Sequence, residues 1–418
     1  MNEEIKPARP GSLLVIFLTV FIDLLGFGMV LPLLPIYADD FATDPSGLML
    51  GLLMACFSIM QFIFAPIWGG ISDRVGRRPV LMIGLASSVV FYAIFGVATV
   101  YRSLFWIFVS RIGAGIAGAT IPTAQAYIAD TTTPERRARG MALIGVAFGI
   151  GFTFGPLLGF LAVPSGTGNP GPWPGYIASI LSAIALGMAC FMLPESRRPD
   201  SASAARKWID FRAIHNASKS SVILVILAAI FICVFSFANF ETTLSMLIKG
   251  SKDIENSPFA FGWKEVCLTF AFIGFTLMII QGGIVRPLSL RIPERPLAIA
   301  GGLLEIVGFA LVAVAVQQAS TPLLYGALVV IVTGFSCLQP TLNSLLSRAA
   351  KEDEQGTIMG LGQSVNALAR IFGSALGIPL LKIQLTAPYL VGAGLMFIGT
   401  VFLFLKAKPA KDSDRRSD

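Results

Sequence analysis

Residues 69–78 read G-G-I-S-D-R-V-G-R-R and lie between two long apolar runs. The spacing predicts a tight polar turn between two membrane helices. Gly69 and Gly76 suit close backbone approach and a sharp reversal. Asp73 beside Arg74, Arg77 and Arg78 makes a compact charged knot that could not lie in hydrocarbon. The stretch therefore marks a point where the chain leaves the bilayer, and the runs on either side are read as spans.

Composition supports that reading. The chain has 418 residues, 55% of them hydrophobic and only 13% charged, whereas a soluble domain carries about 25% charged residues. The net charge of +7 does not indicate nucleic acid, because the basic residues punctuate apolar runs and form no polar domain of their own. Cys56, Cys190, Cys233, Cys267 and Cys337 all fall inside apolar runs, and none forms a C-x-x-C pair. That pattern argues against a disulfide framework or a zinc site, and packing is their expected role. His215 is the only histidine and sits in a polar loop, so neither a histidine metal site nor a catalytic triad is expected. No cofactor is implied. The first apolar run, from about Leu13, is too long for a signal-peptide core and lacks a small-residue cleavage site. It is read as a retained helix.

A span needs about 20 apolar residues. Twelve runs qualify, at 13–36, 47–70, 80–100, 103–128, 139–162, 174–194, 220–248, 261–285, 296–317, 322–346, 357–381 and 386–405. With the N-terminus inside, 24 of the 31 Lys and Arg residues fall in cytoplasmic segments and 5 outside, while Arg111 and Arg370 lie within helices. That asymmetry predicts that both termini are cytoplasmic. The expected fold is an all-α membrane protein with two pseudo-symmetric six-helix bundles, at 1–198 and 219–418. They are joined by a cytoplasmic linker at 199–218 that is rich in Arg, Ser and Ala. A degenerate echo of 69–79 at 282–296, G-G-I-V-R-P-L-S-L-R-I-P-E-R-P, places Arg286 where Asp73 stands and agrees with two repeated halves.

The 69–78 stretch closely resembles the signature loop between the second and third helices of major facilitator superfamily transporters, G-x-(L)-(A)-D-R-x-G-R-R. Other stretches are similar to the twelve-helix drug/proton antiporter branch. These are D-L-L-G-F-G-M-V-L-P-L-L-P at 23–35, R-I-G-A-G-I-A-G-A at 111–119 and G-V-A-F-G-I-G-F-T-F-G-P-L-L-G at 145–159. F-A-P-x-x-G-x-x-S-D-R at 64–74, I-A-D-T-T at 128–132 and L-S-R-x-x-x-x-x-E-Q-G at 346–356 look most like the tetracycline/proton antiporters. The resemblance covers nearly the whole chain. One departure matters. Those exporters carry an acid within the third helix, near Phe91, and the third run here has no ionisable residue. The resemblance therefore implies proton-coupled export more strongly than it implies tetracycline.

Charges inside the spans are the candidate coupling groups, since each costs at least about 2.5–3.5 kcal/mol at mid-depth. At 1.5 Å per residue, Asp23 lies about 14 Å from the inner edge and Arg111 about 18 Å. An acid beside an arginine at matching depth makes a proton switch, so Asp23 is expected to carry the proton with Arg111 tuning it. The plainer reading is a static ion pair. Glu305, near mid-depth, falls where the tetracycline subgroup carries an essential acid. Arg370 is expected as its partner or as a contact for a substrate anion, unless the two simply pack. Glu241 lies nearer the outer edge, lining the outer cavity. Gln61, Gln125, Asn239, Gln339, Asn343, Gln363 and Asn366, with aromatics such as Phe27, Phe235 and Phe335, make a plausible cavity for an amphipathic compound.

Asp73 and Asp130 are read as cytoplasmic gate residues with the arginines beside them. The resemblance implies that the Asp73 loop locks the two halves in the outward-facing state. Gly145, Gly149, Gly151, Gly155 and Gly159, with Pro156, form a small-residue stripe for close helix packing. Pro156 should kink the helix. The resemblance places that helix against one from the other half. The implied function is secondary transport by alternating access, exchanging protons for a small amphipathic drug-like compound across the plasma membrane, by a monomer. A carrier for a metabolite such as a sugar or organic ion is the same-fold alternative. A non-transporting receptor or scaffold is the alternative of another class. No P-loop, G-x-S-x-G or H-E-x-x-H is present, which argues against ATP drive and hydrolysis.

Overall fold

The computed structural model describes residues 12–41, 44–132, 134–164, 170–196, 220–249, 257–289, 291–349 and 355–406, and every regular element among them is helical. The expected linker at 199–218 lies outside the described residues. So do the side chains of Arg136, Arg137 and Arg139 and the surroundings of Gly145.

The first apolar run is two helices, α1 (Ser12–Val30) and α2 (Leu34–Phe41), meeting at a bend of 41°. Pro32 lacks the amide hydrogen needed to carry the helical ladder through. Pro35 falls in the first turn of α2, where a missing donor is harmless. A single straight helix over 13–36 is therefore corrected.

The 69–78 turn is also shorter than expected. α3 (Leu48–Val75) continues through Gly69, Asp73 and Arg74, and α4 (Arg77–Val100) begins at once. Gly76 alone makes the joint, at φ 104° and ψ 160°, a region that other residues enter only with strain. A Cβ there would also stand 2.5 Å from a carboxylate oxygen of Glu195, whereas one on Gly69 would meet nothing within 4 Å. Of the two glycines, only Gly76 is required by the geometry described.

α5 (Leu104–Gly118) and α6 (Ile121–Thr131) form one span interrupted at 119–120, with Pro122 in the first turn of α6. α7 (Pro134–Ala162) runs on past Pro156, and α8 (Trp173–Met192) follows. Next come α9 (Ser221–Lys249) and α10 (Trp263–Ile279). A π-helical turn over Ile280–Val285, containing Gly282 and Gly283, leads into the short α11 (Arg286–Ser289). The chain ends with α12 (Glu294–Gln318), α13 (Thr321–Ala349), α14 (Gln355–Ile383) and α15 (Ala387–Lys406). Among the described residues, 10 helices are long and apolar enough to cross a membrane, or 11 if the bent α1–α2 pair counts as one span. α7 adds a shorter apolar stretch over Gly149–Ala162. Phe191 is 92% exposed, Leu161 75% and Ile383 79%, an outer surface suited to lipid.

The chain divides into two compact units, one within Met1–Ala205 with Leu244–Phe275, the other within Arg206–Thr243 with Thr276–Asp418. In the first, α1 packs on α7 and α8 while α4 packs on α5 and α8. Its core joins Ile16, Val20 and Leu24 to Leu81, Leu85 and Tyr127. The α1–α7 contact is backbone to backbone. A Cβ on Gly28 would lie 2.8 Å from the Gly151 carbonyl oxygen, and one on Gly155 would lie 2.8 Å from Gly28 itself. Phe152 and Thr153 of α7 also receive Gly274 of α10, at 2.7 Å from a built Cβ. In the second unit, α12 packs on α13 and α15.

Gly155→Leu should therefore destabilise by about 1–3 kcal/mol, the usual cost of overpacking. Gly149→Ala, where a Cβ meets open space, should be neutral or stabilising by up to about 1 kcal/mol. Thermal unfolding in detergent reads both. Equal effects would refute this account of the stripe.

Candidate functional site

The charged knot at the α3–α4 joint is built from four elements of the first unit. Arg77 is its centre, with a side chain only 12% exposed. Its guanidinium reaches Asp73 Oδ1 at 2.7 Å, back across the joint at the end of α3, and Asp130 Oδ2 at 3.1 Å on α6. It also donates to Ser72 Oγ at 2.6 Å. Arg78 Nη2 donates to the Cys190 carbonyl at 2.5 Å. Arg74 is exposed and forms no ion pair among the described residues. Sequence reasoning missed Glu195, just beyond α8. Its two carboxylate oxygens accept from the backbone N–H groups of Arg77 and Arg78, at 2.9 and 3.1 Å. It thus caps the N-terminus of α4 with an anion, where the helix dipole favours one. Tyr127 Oη donates to the Pro194 carbonyl at 3.0 Å and holds that segment in place. The only sequence signal was an acid next to two arginines at the end of an apolar run.

Deeper in the same unit, Asp23 and Arg111 are not an ion pair. Asp23 Oδ1 accepts from Ser182 Oγ of α8 at 3.1 Å, and Ser88 of α4 lies beside it. Arg111 is 2% exposed. Its guanidinium lies 4.6 Å from the Phe57 ring centroid and 5.8 Å from that of Phe27. Tyr92, 3% exposed, stands within electrostatic reach of both charges. Depth counting put the two at similar heights but said nothing about which way each helix turned its charge. Ser88, Ser182 and Tyr92 were hidden in apolar runs, where an isolated hydroxyl carries little pattern. Of the other first-unit candidates, Gln61 Nε2 donates to the Gly118 carbonyl at 3.3 Å, and Gln125 is exposed.

In the second unit Arg370 has a different partner from the one expected. Its Nη2 meets Glu241 Oε2 at 2.8 Å, with side chains 39% and 13% exposed. Glu305 is 0% exposed. It receives only a long contact from Cys233 Sγ at 3.9 Å, and its Oε2 has no partner. A Cβ built on Gly334 of α13 would lie 2.8 Å from Glu305 Cγ, so the two helices meet closely beside this acid. Asn239 is likewise 0% exposed and donates to the Pro388 carbonyl at 3.4 Å, so it ties α9 to α15 and does not line a cavity. Phe235 is buried, and Phe335 stacks on Phe237 at 3.9 Å between centroids. Gln339, Asn343 and Asn366 are half-buried and Gln363 is exposed.

The Major Facilitator Superfamily model matches residues 16–374. The chain belongs to that superfamily. It is 30% identical over 416 residues to the class C tetracycline resistance protein of Escherichia coli, covering 96% of each. It is 28% identical to multidrug resistance protein 2 of Bacillus subtilis, covering 92% of each. The crystal structure of the human organic anion transporter MFSD10 superposes with a TM-score of 0.69 at 26% identity, over 95% of this chain and 100% of that one. The protein is thus a multi-pass membrane transporter for a small molecule, not an enzyme. As a superfamily member it places its signature arginine, Arg77, between two acids, and Glu195 fixes the joint that carries it.

Glu195→Ala should cost about 1 kcal/mol, the usual value of a lost helix cap. Gly76→Ala should cost more, because it adds positive-φ strain to the contact with Glu195. The double variant should fall short of the sum, since removing the carboxylate relieves the contact and leaves the strain. Thermal unfolding of the four proteins decides. Strict additivity would mean that Glu195 does not touch the joint in solution.

Proposed function

We propose that this transporter exports a small amphipathic organic compound in exchange for protons, with Asp23 carrying the coupling proton. One observation supports this above the rest. A carboxyl group sits inside an apolar helix with hydroxyl partners and, among the described residues, no ion pair. Serine hydroxyls can serve either protonation state, donating to the carboxylate or accepting from the acid. An acid so placed can load and release a proton without breaking an ion pair. Arg111 and Tyr92 set the local field. The names of the relatives, tetracycline resistance and multidrug resistance among them, agree with efflux.

The same reading carries twelve spans with both termini cytoplasmic, halves at 1–198 and 219–418, a plasma-membrane location and a monomeric carrier. The Arg77 knot serves as the cytoplasmic gate, opening and closing as the two halves alternate. The Glu241–Arg370 pair, partly exposed, and the half-buried Gln339, Asn343 and Asn366 contribute to the substrate path. Glu305 is a second candidate for protonation.

In acid-loaded inverted vesicles, tetracycline or a panel of amphipathic compounds should collapse the pH gradient with the native protein. Asp23→Asn should abolish that response while leaving folded protein in the membrane. Glu305→Gln should weaken it less, because Glu305 lies in a sealed packing site. Undiminished collapse with Asp23→Asn would remove Asp23 from the coupling role.

A further inference from the structure

We propose that Arg111 is the contact for an anionic group on the transported compound, so that this transporter selects amphipathic organic anions with an aromatic or flat apolar body. The identification of that ligand as transported cargo rests on the export reading above; the anion contact itself does not.

Arg111 is among the largest fully buried side chains of the protein. It donates no hydrogen bond and has no acid within ion-pairing distance among the described residues. Its Nε is sealed from solvent without an acceptor. The groups against its guanidinium among the described residues are the Phe57 ring at 4.6 Å and the Phe27 ring at 5.8 Å. Such contacts recover only part of what burial costs a guanidinium. A purely structural side chain of this size would do better without a charge. Asp23, the acid expected to pair with it, is engaged by Ser182. Phe91 leans on Gly113, where a built Cβ would lie 2.2 Å from its ring, so hydrocarbon fills the turn beside Arg111.

The surroundings also fit the rest of such a ligand. Phe27 lies 4.8 Å from Phe57 and 5.8 Å from Phe152 between ring centroids. Two rings, from α1 and α3, thus face the cation, and Phe152 of α7 extends the aromatic cluster behind Phe27. Rings that already accept a guanidinium face can accept a flat apolar body beside it, while the planar donor fork of arginine matches a carboxylate. Seating the anion requires the helices around Arg111 to part, as alternating access provides.

The test uses three compounds that share one body, 1-naphthaleneacetate, its neutral amide and 1-naphthylmethylammonium, titrated onto the full-length protein in detergent at pH 7.5. The native protein should bind the carboxylate about 10–100-fold tighter than the amide, the value of a charge-assisted hydrogen bond. Arg111→Gln should erase that preference and leave amide binding unchanged, which also shows that the variant is folded. Arg111→Lys should keep part of it. Equal binding of carboxylate and amide by the native protein, no binding of the carboxylate, or an undiminished preference in Arg111→Gln would each overturn the proposal. Tighter binding of phosphatidylglycerol than of naphthaleneacetate would overturn it in favour of a lipid anion. Because the titration uses no gradient, it is independent of proton coupling. Loss of gradient collapse in vesicles with the charge preference intact would defeat the export reading alone.

Discussion

A charge carried into a low-dielectric helix bundle must be answered locally, since removing one ion from water costs several kcal/mol even after relaxation. The protein meets that constraint in three ways and leaves one acid almost unanswered. Arg370 and Glu241 meet directly at 2.8 Å. Asp23 is met by a serine hydroxyl on a neighbouring helix. Arg111 is met by aromatic faces, worth about 2 kcal/mol when desolvated. Glu305 is met by almost nothing polar. The order matters for function. A directly paired charge is already satisfied and has little to gain from a ligand. A charge answered by hydroxyls or rings keeps its strongest partner position open.

The same local logic governs the polar end of the first unit. α3 and α4 meet with a single residue between them, so several backbone donors at the start of α4 have no helical acceptor. Glu195 supplies two acceptors from another segment. Arg77 then faces Asp73 and Asp130 together. Exposed pairs of this kind are worth little singly, but here one arginine is shared and nearly covered, so the geometry is more constrained than either pair alone. The small-residue contacts of α1 with α7 extend the constraint into the span. Where the backbones meet this closely, there is no room for a side chain between them.

The family and the helical segments were legible because they depend on patterns longer than one residue. Twelve apolar runs, their charged punctuation and a ten-residue signature all survive the loss of any single position. The breaks were partly legible. Pro32 bends the first run, yet its effect was submerged by the length of the apolar run around it. The charge partners were not legible. Residue depth fixes height along the bilayer and leaves the angle around each helix free, so equal height does not make Asp23 and Arg111 neighbours. Arg370 was matched to Glu305 on the same ground, yet its guanidinium meets Glu241. Glu195 was overlooked because a cap acts on backbone groups, which sequence patterns do not display.

These two scales of legibility have a physical origin. Solvent preference acts on segments and is additive, so it is written repeatedly along the chain. Polar satisfaction acts between particular atoms and is written once, in residues such as Ser182 or Phe57 that look ordinary in an apolar run. The partners of the buried charges in this transporter depend on the second kind of information. Replacing Ser182 by alanine would barely alter the hydropathy of α8, yet it would remove the hydroxyl now bonded to Asp23. Relatives that share the apolar runs and the Arg77 knot can therefore share the fold and still differ in which compound they carry.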